Sequence, residues 1–176
     1  MVPLILVNGL PGSGKTTLAT GLGALLDVPV ISKDALKEAV ADVALPVPGR
    51  AIGAAAGEMM WSPAAAMPGP VVLESWWFKP RDLRFVEAGL RRCRPRGAVE
   101  VWCDVPAEVA LGRYAARQRH RIHDDRRRLD EDWPRWAAEA QPLGVAPVVR
   151  VDTKAAVDLP GLAARIAATD QGDPVL

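Results

Sequence analysis

Eight residues near the start of the chain, Gly9-Leu10-Pro11-Gly12-Ser13-Gly14-Lys15-Thr16, satisfy the spacing Gly, any four residues, Gly, Lys, Ser/Thr. The chemistry this spacing serves is polyphosphate binding. Glycines let the backbone turn its N–H groups inward around phosphate oxygens, and a helix opening at the end of the loop adds the favourable end of its dipole. Gly9, Pro11, Gly12, Ser13 and Gly14 are expected to line the triphosphate, with Thr17 beside them. Lys15 is expected to reach the β- and γ-phosphates, and the Thr16 hydroxyl to take one position on Mg²⁺. A nucleoside triphosphate is the expected ligand.

The elements around the motif fit that role. Leu4–Val7 reads as a buried strand before the loop, and residues 17–22 continue as an apolar-periodic helix after it. Further strand-like runs recur at Pro29–Ser32, Val71–Glu74, Val99–Asp104 and Val148–Asp152, each short and rich in Val, Ile and Leu. The stretches between them are long enough for helical crossovers, which predicts repeated β-α units around a parallel sheet. A helical stretch covers 51–67. Pro106–Gln118 reads as a helix with Asp104 as its cap, and Asp158–Ala168 as the closing helix. The expected organisation is a single domain over 1–169 and a frayed tail over 170–176.

Composition excludes several classes. At 176 residues, 49% hydrophobic and 24% charged, the chain has the length and make-up of one globular domain with a real core. A net charge of +1 gives no global bias toward nucleic acid or an anionic membrane. Cys93 and Cys103 have neither metal-site nor disulfide-framework spacing, and Cys103 reads as a small core residue. No segment has the length and apolarity of a membrane span, and the first strand begins at once, so the cytoplasm is the expected compartment. Charge is uneven only locally: residues 113–128 hold seven arginines and two histidines against two aspartates.

The P-loop does not by itself identify the phosphate acceptor. A base-reading Asn-Lys-x-Asp motif and an ABC-type signature are both missing, and the chain is short for a ring-forming ATPase. The run Ile31-Ser32-Lys33-Asp34-Ala35-Leu36-Lys37-Glu38, the strand end Val71-Val72-Leu73-Glu74-Ser75, and Cys103-Asp104-Val105-Pro106-Ala107-Glu108 followed by Arg113, Arg117, Arg119 and His120 resemble the motifs of small P-loop kinases. The resemblance is to the polynucleotide-kinase-like group, often labelled AAA-family ATPases, whose relatives include zeta toxins and chloramphenicol phosphotransferase. It spans roughly residues 2–155. It implies a P-loop kinase-type α/β three-layer sandwich, with a five-stranded parallel sheet in the order 2-3-1-4-5 and an arginine-rich lid at about 119–132. That order brings Lys15, Asp34 and Glu74 to one crevice at the carboxyl edge of the sheet.

The resemblance also implies roles. Asp34 would accept the proton of an attacking hydroxyl; its other reading is a helix N-cap. Glu74 would hold a Mg²⁺-bound water or the acceptor hydroxyl. Arg113 would lie near the adenine or the β-phosphate, with Arg117 and Arg119 over the γ-phosphate, where a permanently charged forked donor suits an oxyanion. Thr153 falls where the adenine loop usually lies. Arg119-His120-Arg121-Ile122-His123 resembles an Arg-His-Pro-x-His lid pattern, with Arg121 where Pro is common. His120 is accordingly placed with the acceptor, and metal ligation by His120 and His123 is not expected.

Trp76 and Trp77 would wall the acceptor crevice or plug the core, and Trp61 is a further pocket candidate. Lys37 would bind an anionic acceptor or stand as a plain surface lysine. Trp133 and Trp136, three apart, read as a packing stripe. Together these residues predict an ATP- and Mg²⁺-dependent transfer of phosphate to a hydroxyl of a nucleoside, sugar or antibiotic. The alternatives are a nucleic-acid 5′-hydroxyl kinase, disfavoured by the near-neutral charge, and an ATP-binding switch without its own acceptor. The chain would act as a monomer or homodimer.

Overall fold

Residues 3–44, 47–117, 120–123 and 129–169 are described by the computed structural model. The apolar runs form five strands: β1 (Leu4–Asn8), β2 (Val30–Ser32), β3 (Val72–Glu74), β4 (Ala98–Asp104) and β5 (Val148–Asp152). Between and after them lie α1 (Lys15–Leu26), α2 (Lys33–Val43), α3 (Gly49–Met59), α4 (Trp61–Ala66), α5 (Lys79–Cys93), α6 (Ala107–Ala115), α7 (Trp133–Glu139) and α8 (Leu159–Thr169). All strand pairings are parallel, and the order is β2-β3-β1-β4-β5, as the resemblance implies.

The strand period of two divides the core into two layers. Ile5, Val7, Val72, Val99, Val101, Cys103, Val149 and Val151 face Leu18, Ala19 and Leu22 of α1 and Leu162 and Ile166 of α8. Leu4, Leu6, Leu73 and Ala98 face Met60, Trp61 and Ala64 around α4 and Val86 and Leu90 of α5. A third cluster sits beyond the carboxyl edge of the sheet, where Leu10, Phe78, Ala110 and Tyr114 surround Trp133 and Trp136. The Trp133–Trp136 stripe is therefore a packing stripe, with Trp133 stacked on Tyr114 at 6.0 Å between ring centroids.

Three local expectations are corrected. The helical stretch 51–67 is two helices broken at Met60; Pro63 has no N–H to donate to the Met59 carbonyl, and its ring crowds that carbonyl. Helix α6 starts from Pro106, whose fixed φ suits a helix entrance, without a side-chain cap. Asp104 does not cap it: its carboxylate accepts from Arg150 at 3.0 Å across the edge pair β4–β5. The third concerns Asp34. Ser32 is the N-cap of α2, its hydroxyl accepting the Ala35 N–H at 3.5 Å, which leaves Asp34 exposed in the first turn.

One buried polar network ties the strands together at this edge. Glu100, fully buried on β4, accepts from Asn8 Nδ2 at 2.9 Å, from the Leu143 N–H at 2.9 Å and from the Gly144 N–H at 3.0 Å. Asn8 Oδ1 in turn accepts the N–H groups of Gly9 (2.8 Å) and Trp77 (3.0 Å), and Nδ2 also donates to the Trp77 carbonyl. Neither residue was singled out from the sequence. A lone Glu within an apolar strand is the signal that could have found it, because a carboxylate is fully buried only where donors satisfy it.

Candidate active site

Three strand ends build the site. β1 runs into the P-loop, β2 ends at Ser32 immediately before Asp34, and β3 ends at Glu74. Val7, Glu74 and Ser32 are in register across these neighbouring strands. Gly9, Gly12 and Gly14 have φ of 147°, 84° and 88°, a region that disfavours a side chain, so the loop needs glycine for its shape. Gly12 also lies against α6, where a Cβ would overlap the Ala110 carbonyl oxygen. Gly12→Ala is expected to weaken ATP binding by at least about tenfold through this overlap and the left-handed strain. Equilibrium titration with ATP, beside a melting curve, checks it; unchanged affinity would remove Gly12 from the cradle.

Lys15 is the first residue of α1 and is buried, its amine donating to the Leu10 carbonyl across the loop at 2.8 Å. Burial pushes this amine below the ordinary lysine range. The negative charges of Glu74 and Asp34 pull it back up, and the positive charge of Arg117 pushes it down. Asp34, Glu74 and Arg117 thus all act on the P-loop amine, although they come from α2, β3 and the chain just beyond α6. Thr16 and Thr17 are exposed in the first turn of α1, and Pro11 lies partly buried in the loop. Ser13 is fully buried. Burial also pushes the Cys103 thiol up to about 12, so it stays neutral, as a core cysteine does.

Glu74 is buried and accepts the Ser32 hydroxyl at 2.7 Å. Sequence reasoning did not single out Ser32 for this contact; its place at the last position of a strand, just before a helix, is the signal it carried. Thr153 is buried, and its hydroxyl donates to the Ser13 carbonyl in the P-loop at 2.6 Å. Arg113 donates to the carbonyls of Thr153 (3.0 Å) and Lys154 (2.8 Å), clamping the loop after β5. Both side chains engage the protein itself, holding the backbone of the P-loop and of the loop after β5.

Other expected acceptor residues stand elsewhere. Trp61 and Trp77 are packed in the core layer under α4 and α5, 6.5 Å apart, and do not stand as crevice walls. Their apolar area is better satisfied among Leu4, Leu6 and Leu90 than in water. Trp76 is half-buried against Phe78, Trp102 and Trp136. Lys37 is buried, not a surface lysine, and donates to the Ile122 carbonyl at 3.3 Å. His120 contacts Asp42 at 3.0 Å. Arg119 and residues 124–128 of the expected lid lie outside the described residues, as does the tail from 170.

The glycine cradle and the buried lysine fit a triphosphate. The described residues contain no group of three or more His, Cys, Asp or Glu that could hold a metal. The exposed Thr16 hydroxyl next to Lys15 fits Mg²⁺, which is usually bound through few protein oxygens, substrate phosphates and water.

An all-parallel sheet in this order, with a P-loop after its central strand, is the fold of P-loop kinases. The chain belongs to the AAA domain family, whose model matches residues 4–143. Among solved structures it is similar to a "putative kinase" from Chloroflexus aurantiacus (22% identity over 97% of this chain and 100% of that one, TM-score 0.74). It is also similar to shikimate kinase from Bacteroides thetaiotaomicron (19%, 96% and 98%, 0.61) and a gluconokinase from Sinorhizobium meliloti (23%, 94% and 90%, 0.56). No curated protein sequence matches the chain. No helix among the described residues is long and apolar enough to cross a membrane.

Proposed function

We propose that this chain is an ATP- and Mg²⁺-dependent phosphotransferase that moves the γ-phosphate to a hydroxyl of a small molecule such as a nucleoside, sugar or antibiotic. The observation that carries the reading is the register of Val7, Glu74 and Ser32 on neighbouring strands, which brings the P-loop with its buried Lys15, Glu74 and the start of the Asp34 helix to one edge of the sheet. The P-loop amides and Lys15 hold the triphosphate, with Thr16 as the protein ligand of Mg²⁺. The metal, when bound, supplies neutralisation of charge on the transferring phosphate. Asp34 accepts the proton of the acceptor hydroxyl as its oxygen bonds to the γ-phosphorus, while the bond from that phosphorus to the bridging oxygen of ADP breaks. Arg117 and Arg119 complement the oxyanion charge, and Glu74, fixed by Ser32, orients the hydroxyl.

A small acceptor is supported by the near-neutral charge and by neighbours named for gluconate and shikimate. Beside Glu74, Ser75 Oγ and Trp76 Nε1 are buried without a hydrogen-bond partner among the described residues, which suits a polar acceptor. The finer kinship with polynucleotide-kinase-like enzymes, zeta toxins and chloramphenicol phosphotransferase rests on the motif resemblance, as does the arginine lid; a single domain rests on length and composition, and we place it in the cytoplasm as a monomer or homodimer.

Transfer of labelled γ-phosphate into fractionated pools of metabolites, antibiotics and oligonucleotides tests the reading. Label in a small hydroxyl compound is the expected result. Label in oligonucleotide 5′ ends would replace it with the nucleic-acid kinase, and label only in free phosphate with the switch.

A further inference from the structure

Two of the groups that act on Lys15 come from opposite sides of the crevice. Asp34 opens α2, which follows the edge strand β2, whereas Arg117 follows α6, which leaves β4. Strands β3 and β1 lie between those two. Residues 120–123 are seated on α2 by three side chains: Lys37 Nζ donates to the Ile122 carbonyl, His120 Nε2 donates to Asp42 Oδ1 at 3.0 Å, and His123 Nε2 meets Glu38 Oε1 at 2.8 Å. The Ile122 N–H donates to His120 Nδ1 at 3.2 Å, which leaves Nε2 as the protonated nitrogen facing Asp42.

These contacts are built into the fold. The His123 side chain is 1% exposed and that of His120 is 23% exposed, so both rings lie against the protein. Ile122 also lies on Gly49 at the start of α3, where a Cβ would come within 3.2 Å of its carbonyl oxygen. Asp34, Glu38 and Asp42 are spaced four apart, with Lys37 between them, so they share one face of α2. The carboxylate that grips His123 therefore stands one helical turn, about 6 Å, beyond the one assigned to the acceptor.

We propose that His120 and His123, with Glu38 and Asp42, form a clasp that fastens the chain after Arg117 to the helix that begins with Asp34. The clasp makes the phosphate side and the acceptor side of the crevice one mechanical unit. His123 and Glu38 are positioning residues in this scheme, acting through Arg117 and Asp34. The catalytic part of the inference rests on the phosphotransferase reading; the mechanical part does not.

Amide hydrogen exchange of the full chain, followed by mass spectrometry, tests the mechanical part without any acceptor. Glu38→Ala removes the acceptor at a half-buried position outside the core, and His123→Ala removes the ring. Each is expected to raise exchange roughly tenfold in both the 33–43 and 114–123 segments, the worth of one lost hydrogen bond. His123→Gln, which keeps an amide donor, should restore most of the protection. A rise confined to the mutated segment would overturn the clasp.

The second arm compares Mg-ATP affinity with single-turnover transfer. Affinity is expected to stay within about twofold of wild type, with transfer falling roughly tenfold. Wild-type transfer that Glu38→Ala leaves unaltered would overturn the positioning role. If the wild type transfers to no acceptor, the phosphotransferase reading falls, and the clasp stands or falls on exchange alone.

Discussion

Asp34→Asn is expected to lower γ-phosphate transfer by about 100- to 10,000-fold while leaving ATP affinity close to wild type. The substitution keeps shape and removes the negative charge and with it the capacity to take a proton; the expected loss corresponds to about 2.7–5.4 kcal/mol of transition-state stabilisation. The structure makes this a clean experiment. Ser32, not Asp34, caps α2, so no cap is lost, and Asp34 is exposed in the first turn. The attraction between its carboxylate and the N-terminal dipole contributes about 0.3–1 kcal/mol. Single-turnover transfer, ATP titration and a melting curve separate the two roles. A small drop in melting temperature with full transfer would make Asp34 a dipole partner only and remove it from catalysis.

The largest stability effect is expected at Glu100. Glu100→Ala takes the acceptor from two buried donors, Asn8 Nδ2 and the Leu143 N–H, and from the part-buried N–H of Gly144. An orphaned buried donor costs about 1–3 kcal/mol, so the two buried ones together reach about 2–6 kcal/mol, a large share of the net stability of a domain. The melting temperature should fall by roughly 10–20 °C. Glu100→Gln should fall between wild type and Ala, because its amide oxygen can still serve one set of donors while its NH₂ opposes another. Thermal unfolding of the two variants checks the ranking. A Gln variant as stable as wild type would mean that the charge and the second oxygen contribute nothing. ATP affinity should weaken in the same order, since Asn8, freed from Glu100, no longer fixes the N–H of Gly9 at the mouth of the loop.

Legibility from the sequence followed locality. Strand β5 was readable to its end residues, because Val148–Asp152 is a short valine-rich run after Pro147. The P-loop was readable because its glycines, lysine and threonine are contiguous. The strand order was reachable only through resemblance, and the sheet agrees with it. What escaped depended on partners far along the chain. Nothing near Lys37 says that its amine is buried under Ile122, and helix periodicity alone treats such a lysine as solvated. Trp61 and Trp77 carry no label separating pocket wall from core; the approach of α4 to Gly89 on α5, where a Cβ would overlap the Trp61 ring, decides it. Asn8 and Glu100 meet only once β1 lies beside β4 in its final register.

The P-loop is local in sequence, but its walls are not. Gly9 abuts Cys103, Gly12 abuts Ala110, and Ser13 is held by Thr153, all from the later part of the chain. β1, the earliest of the five strands in chain order, is also the central one, and it waits for β3 and β4 before either side is paired. Such a topology has high contact order, and its decisive closures come late in folding. A nascent chain ending before β4 would display the whole motif and still lack the cradle. Nucleotide therefore selects the finished molecule: present at a hundred times its Kd, it would add about 2.7 kcal/mol to the folded state.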